Sequence, residues 1–194
     1  MGDSMSSVII SGDTSGAITL AAPSVAGTNT ITLPANTGTV ITTASTFAGT
    51  GPAFSAYKST SQTLTHNTNT LVTFDTESYD TNNNFASNRF TPTVAGYYQV
   101  CCVIDYQGTF NRSYFLNNLL YKNGATVKST SASLVMGNGG EVSVANNPPP
   151  IYMNGTTDYL ELWAYSFDYT ASTSTTINGT ALLTSFGAYL VRTA

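Results

Sequence analysis

The chain is poor in charge. Only 8% of its 194 residues are Asp, Glu, Lys or Arg, against about 25% in ordinary globular proteins. Six Lys and Arg stand against ten Asp and Glu, a net charge of −4. That balance offers no electrostatic footprint for nucleic acid or for an anionic membrane. Cysteine is almost absent as well. Cys101 and Cys102 are the only two, and neighbouring side chains on a strand point to opposite faces. A disulfide between them would need severe distortion, and neither has a spaced partner. The expectation is two reduced thiols, both buried as small apolar residues. No apolar run approaches the ~20 residues of a membrane span. The first residues lack the basic stretch and apolar core of a secretory leader. Membrane insertion is not expected, and the sequence does not argue for secretion.

Chemistry is equally thin. The sole histidine, His66, stands alone in a polar stretch, so neither a metal centre nor a Ser/His/Asp triad has its parts. The acids Glu77, Asp80, Asp105, Glu141, Asp158 and Glu161 show no spacing that singles out a catalytic pair. Gly137, Gly139 and Gly140 precede a strand pattern rather than a helix, which excludes a phosphate-cradling loop. The reading is of a protein that is not an enzyme and carries no cofactor. Asp80 opens the oxygen-rich run Asp80-Thr81-Asn82-Asn83-Asn84. Calcium could be held near Asp80, but with one carboxylate in the run an Asx-rich turn is the plainer reading.

What the chain has in quantity is Thr, Ser, Asn and Gly, with 12 Tyr and 9 Phe. Residues 16–43 alternate apolar and hydroxyl side chains in three short segments, around Ile18 and Leu20, Ile31 and Leu33, and Val40. Pro23, Gly27, Pro34 and Gly38 supply the turns. Such faces are too small to form a core alone, so a shaft wound from several copies is expected. Residues 1–15 are read as a polar amino-terminal attachment segment, and residues 44–51 as a connector of small residues.

From residue 52 to 194 the pattern is all-β. Strands are expected at 53–58, 71–74, 85–90 and 97–106. Residues 113–121 and 125–136 flank Asn123-Gly124, a strong hairpin signal. Further strands fall at 158–167, 177–183 and 184–191. About ten short strands at regular spacing indicate a sandwich or jelly roll.

Within this region Phe74, Asp80, Phe85, Phe90, Gly96 and Tyr98 follow at intervals of five, four, four, five and one intervening residues. This spacing resembles the signature of the globular head of complement component 1q, whose fold is shared with tumour necrosis factor. The resemblance covers residues 52–194. It implies a ten-stranded jelly-roll head that works as a homotrimer. In the family the Gly-x-Tyr strand has one face in the core and the other toward the threefold axis. Carried over, that places Tyr98, Val100, Leu160 and Leu162 in the head core together with Phe74, Phe85 and Phe90. Tyr97, Gln99, Cys101, Val103, Tyr159 and Trp163 then form the trimer interface, with Cys102 facing inward.

The stretch from Ala22 to Val40 reads APSVAGTNTITLPANTGTV and resembles a segment found beside fibre and decoration domains of tailed bacteriophages. It implies a virion structural protein: a trimeric fibre, head-decoration or spike-tip protein attached to other virion proteins through Ile18, Leu20, Ile31 and Leu33. Its head would be adhesive, toward a host receptor or glycan. The alternative is a secreted or cell-surface component-1q-like ligand-binding module of a cellular organism.

Overall fold

The computed structural model describes residues 7–11, 14–21, 25, 28, 51–109, 111–137, 140–180 and 183–194. The chain divides into two compact units, Met1–Thr42 and Thr43–Ala194.

In the first unit β1 (Ser7–Ser11) pairs antiparallel with β2 (Ala17–Ala21), from Ser7 opposite Ala21 to Ser11 opposite Ala17. The segment 1–15, expected to be a polar attachment arm, therefore contains a strand. The reason is local: Val8-Ile9-Ile10 is a β-branched run, and Gly16 supplies a left-handed residue, φ +79°, just before β2. The boundary expected at 15/16 falls inside this hairpin. Ile18 and Leu20 lie on β2, whereas Ile31, Leu33 and the 44–50 connector lie outside the described residues.

The second unit opens with β3 (Ala53–Tyr57), β4 (Gln62–Leu64), β5 (Thr70–Leu71) and β6 (Thr76–Asp80). A short pair follows, β7 (Phe85–Ala86) and β8 (Arg89–Phe90). Three long strands come next: β9 (Gly96–Gln107), β10 (Arg112–Lys122) and β11 (Ala125–Met136). The unit closes with β12 (Glu141–Asn146), β13 (Ile151–Met153), β14 (Leu160–Asp168), β15 (Thr175–Ile177) and β16 (Ser185–Thr193). The described residues contain no helix.

Two antiparallel sheets result. One runs β11-β10-β14-β8-β7, with β5 also on β14. The other runs β4-β15-β9-β16-β3-β6, with β12 and β13 along the free flank of β9. Their inner faces close on one core that includes Phe54, Phe90, Tyr98, Val100, Ile104, Leu116, Leu160, Leu162 and Phe186. This is the all-β, two-sheet architecture expected of a jelly roll.

The strand count differs from ten because several columns are broken. β12 and β13 follow the same edge of β9, interrupted at Pro148-Pro149-Pro150, where proline has no N–H to give the ladder. The strand expected at 71–74 is shorter, β5 ending at Leu71 with one further backbone bond from the Val72 N–H to the Leu162 carbonyl at 2.9 Å, and β6 forms an edge where no strand was expected. The segment 85–90 is a hairpin rather than one strand. Ser87 and Asn88 turn it with φ of +52° and +64°, so Phe85 sits directly opposite Phe90. At the expected Asn123-Gly124 turn both φ values are positive, +53° and +80°, the pattern of a type I′ turn.

Candidate interaction surface

Strict alternation on β9 sets the geometry. Tyr98, Val100, Cys102 and Ile104 are buried between the sheets, so Tyr97, Gln99, Cys101 and Val103 point outward from the eight-stranded sheet. Burial has consequences for the inward groups. The Tyr98 hydroxyl donates to the Val94 carbonyl at 2.7 Å, and burial pushes its pKa up to about 12. The Cys102 thiol donates to the Asn146 carbonyl at 3.1 Å; burial, then the neighbouring Cys101, push it up to about 12. Cys101, expected to be buried, is exposed. Adjacent residues of one strand cannot both enter the core.

Pairing registers extend the outward face. Tyr152 lies opposite Tyr97, with ring centroids 5.6 Å apart. Tyr189 lies opposite Gln99, and Gly187 opposite Cys101. Ser55 is next to Gly187, and Tyr79 next to Ser55. The row Tyr79-Ser55-Gly187-Cys101 lines an open groove of about 220 Å³, with Tyr189 at its side. Tyr79, Tyr97, Tyr152 and Tyr189 are 51%, 45%, 43% and 51% exposed. None of these residues carries a charge. Four half-exposed tyrosines on one sheet face, with Arg192 opposite Tyr97, are suited to a protein contact, since Tyr buries a large ring while keeping one polar contact.

Tyr159 and Trp163, expected on this surface, are elsewhere. Trp163 is on β14, in the six-stranded sheet, and Tyr159 immediately precedes that strand. Leu160 and Leu162 are buried, so the parity that sends Tyr159 and Trp163 outward holds. Outward from this sheet, however, is away from Tyr97, because the core lies between the two. Trp163 stacks on Tyr121 at 5.2 Å and 21°, and its Nε1 donates to Glu161 Oε2 at 3.1 Å. Arg89 donates to Glu161 Oε1 from Nε and Nη2 at 3.0 and 2.7 Å and lies 3.7 Å over the Tyr159 ring.

Of the remaining expected core residues, Phe85 and Phe90 are buried, and Phe74 is partly buried against the same cluster. Asp80 Oδ2 accepts the Phe85 N–H at 2.7 Å, and Oδ1 accepts that of Asn82 at 3.3 Å. The carboxylate thus serves as the staple of its own loop. Among the described residues no three His, Cys, Asp or Glu side chains gather as metal ligands. His66 Nδ1 accepts the Asp168 N–H at 3.1 Å, and its ring packs on Phe167 at 4.6 Å.

The sequence reading missed Tyr79, Tyr152, Tyr189 and Gly187. Tyr189 was open to the same parity argument through buried Phe186 and Ala188. Tyr79 and Tyr152 join the surface only through long-range pairing.

Two solved structures were compared with this arrangement of strands. The structure of Eiger TNF from S. frugiperda matches with a TM-score of 0.51 and 13% identity, over 74% of this chain and 95% of that one. The chain contains a tumour-necrosis-factor-type jelly roll. The globular domain of zebrafish complement 1qA protein aligns with a TM-score of 0.42 and 16% identity, over 74% of this chain and 99% of that one. No family model matches the chain, and no curated protein matches it. Nothing in these comparisons points to a bacteriophage protein.

Proposed function

We propose that this chain is a non-enzymatic, homotrimeric binding module whose jelly-roll head presents ligand-binding surface in three copies. The observation that carries the reading is the tyrosine-rich outer face of the eight-stranded sheet, with Tyr97, Tyr152, Tyr189 and Tyr79 exposed. A chain with so little charge gains from covering such a face with sister chains. Three linked heads also convert weak contacts into avidity. His66, held by a backbone N–H and a phenylalanine ring, acts as a structural residue, in keeping with a protein that performs no catalysis. Light scattering coupled to size exclusion tests the assembly. Three times 20.4 kDa is expected, and a monomer at micromolar concentration overturns it.

Two settings remain for such a head. The fold comparison agrees with a secreted or cell-surface component-1q-like module that binds a ligand. One specific observation favours a virion setting: residues 22–40, with their likeness to segments beside phage fibre and decoration domains. On that reading the chain attaches to other virion proteins through its first unit and holds an adhesive head toward a host receptor or glycan. Mass spectrometry of purified particles separates the two settings, since only a virion component co-purifies at fixed stoichiometry.

A further inference from the structure

The outer face of the six-stranded sheet carries a second constellation, on the other side of the core from the tyrosine face. Trp163 and Tyr121 stack on each other, the ring centroids 5.2 Å apart and the planes within 21°. Both are fixed before any ligand arrives. Glu161 is only 6% exposed; one of its carboxylate oxygens holds the indole N–H and the other is gripped twice by Arg89. The Arg89 Cζ in turn lies 3.7 Å over the Tyr159 ring. The Tyr121 hydroxyl accepts from Asn69 Nδ2 at 3.1 Å. Rings locked in this way lose little freedom on binding.

We propose that this platform binds a neutral saccharide, with the sugar ring lying on an outer face of the Trp163–Tyr121 stack. The inference deepens the adhesive reading above, on which its biological use rests, by naming the ligand class and the face. A pyranose has a flat face of polarised C–H bonds and a rim of hydroxyls. The C–H face is attracted to the negative face of an aromatic ring, and the rim needs donors and acceptors at the ring's edge. The amide of Asn69 and the guanidinium of Arg89, whose side chain is 45% exposed, stand at that edge. Charge selects against ionic ligands. Arg89 and Glu161 cancel at 2.7 Å, leaving no net field to attract an acidic sugar or a charged peptide. An aromatic ladder that serves the sheet alone is the competing explanation. It requires neither a buried carboxylate to hold the indole nor a cation parked on the next ring.

Trp163 is the only tryptophan in the chain, so intrinsic fluorescence reports this one site. The full-length protein is screened on an array of neutral and sialylated oligosaccharides, and the neutral hits are titrated while following emission. Saturable quenching near about 1 mM for a single site is expected, with binding weakened about tenfold in Tyr121→Ala and in Glu161→Gln. Val135→Ala, on the exposed edge strand β11, should bind as the parent does. Because Trp163→Ala removes the reporter, Tyr121→Ala carries the test. No neutral hit, hits confined to sialylated glycans, or unchanged binding in a folded Tyr121→Ala protein each overturn the proposal. Light scattering on the same samples reads the assembly separately, so a failure here is distinguishable from a failure to trimerise.

Discussion

Phe85 and Phe90 face each other across a two-residue turn, and both rings stack on Phe54, at 4.6 and 4.5 Å. Five positions apart on one straight strand they would point to opposite sides. The turn at Ser87-Asn88 reverses the chain and puts both in the core. Phe186 closes the cluster edge-on to Phe54 at 5.0 Å.

Phe54→Ala should therefore cost about 3–5 kcal/mol, the usual range for emptying a buried phenylalanine site. Urea unfolding of a monomeric background reads it. A loss below about 1 kcal/mol would mean the cluster is not packed as described.

The two aromatic faces should behave oppositely in assembly. Tyr189→Glu places a carboxylate within the tyrosine-rich surface, where burial against a sister chain strips it of water. It should yield a folded monomer by light scattering. Trp163→Ala should keep the trimer while losing stability from its stack on Tyr121. Dissociation by Trp163→Ala with an intact Tyr189→Glu trimer would reverse the assignment of the faces.

The thiols provide a third readout. Cys101 opens on the tyrosine face, and Cys102 is buried with its pKa pushed up to about 12. In the Tyr189→Glu monomer Cys101 should react quickly with an aromatic disulfide reagent at pH 8, because thiolate and access both govern the rate. In the trimer it should be protected. Cys102 should react only on unfolding. Equal Cys101 rates in both forms would remove it from the interface.

Acid should destabilise the head through three aspartates. Hydrogen bonds from Thr60 and Ser59 hold Asp75 far below its ordinary 3.8. Hydrogen bonds from Lys122 and Asn123 lower Asp158. Burial pushes Asp168 up, but Thr173, Thr170 and Arg112 outweigh it and bring the group far below 3.8. With folded values depressed, the stabilisation is complete above pH 3.8 and disappears as pH falls through the folded values. Thermal melts from pH 6 downward should fall most steeply below pH 4, and less so in Asp168→Asn. A melting temperature flat to pH 2 would contradict the hydrogen-bond assignments.

Much of the head was legible because it is written locally. The family resemblance, read with strand alternation, implied that Tyr98, Val100, Leu160 and Leu162 face inward, and Asn123-Gly124 announced its hairpin through the two positive φ values that turn requires. The spacing from Phe74 to Tyr98 pointed to the jelly roll. The hairpin at Ser87-Asn88 was present in the sequence too, in the odd separation of Phe85 and Phe90, yet its turn residues lack the glycine that usually signals one. Strand β1 was hidden differently: Val8-Ile9-Ile10 is only three residues long, and pairing with β2 is what makes it a strand.

The sequence by itself determined which side of each strand is apolar, because side-chain direction has a fixed period of two. Which sheet a strand joins was decided only by the tertiary structure. Tyr97 and Trp163 obey the same parity rule and look outward on opposite sides of the sandwich, since pairing partners are chosen over separations such as that between Tyr97 and Tyr152. Those pairings depend on packing the whole core at once. The tyrosine face and the Trp163 platform both arise at that level.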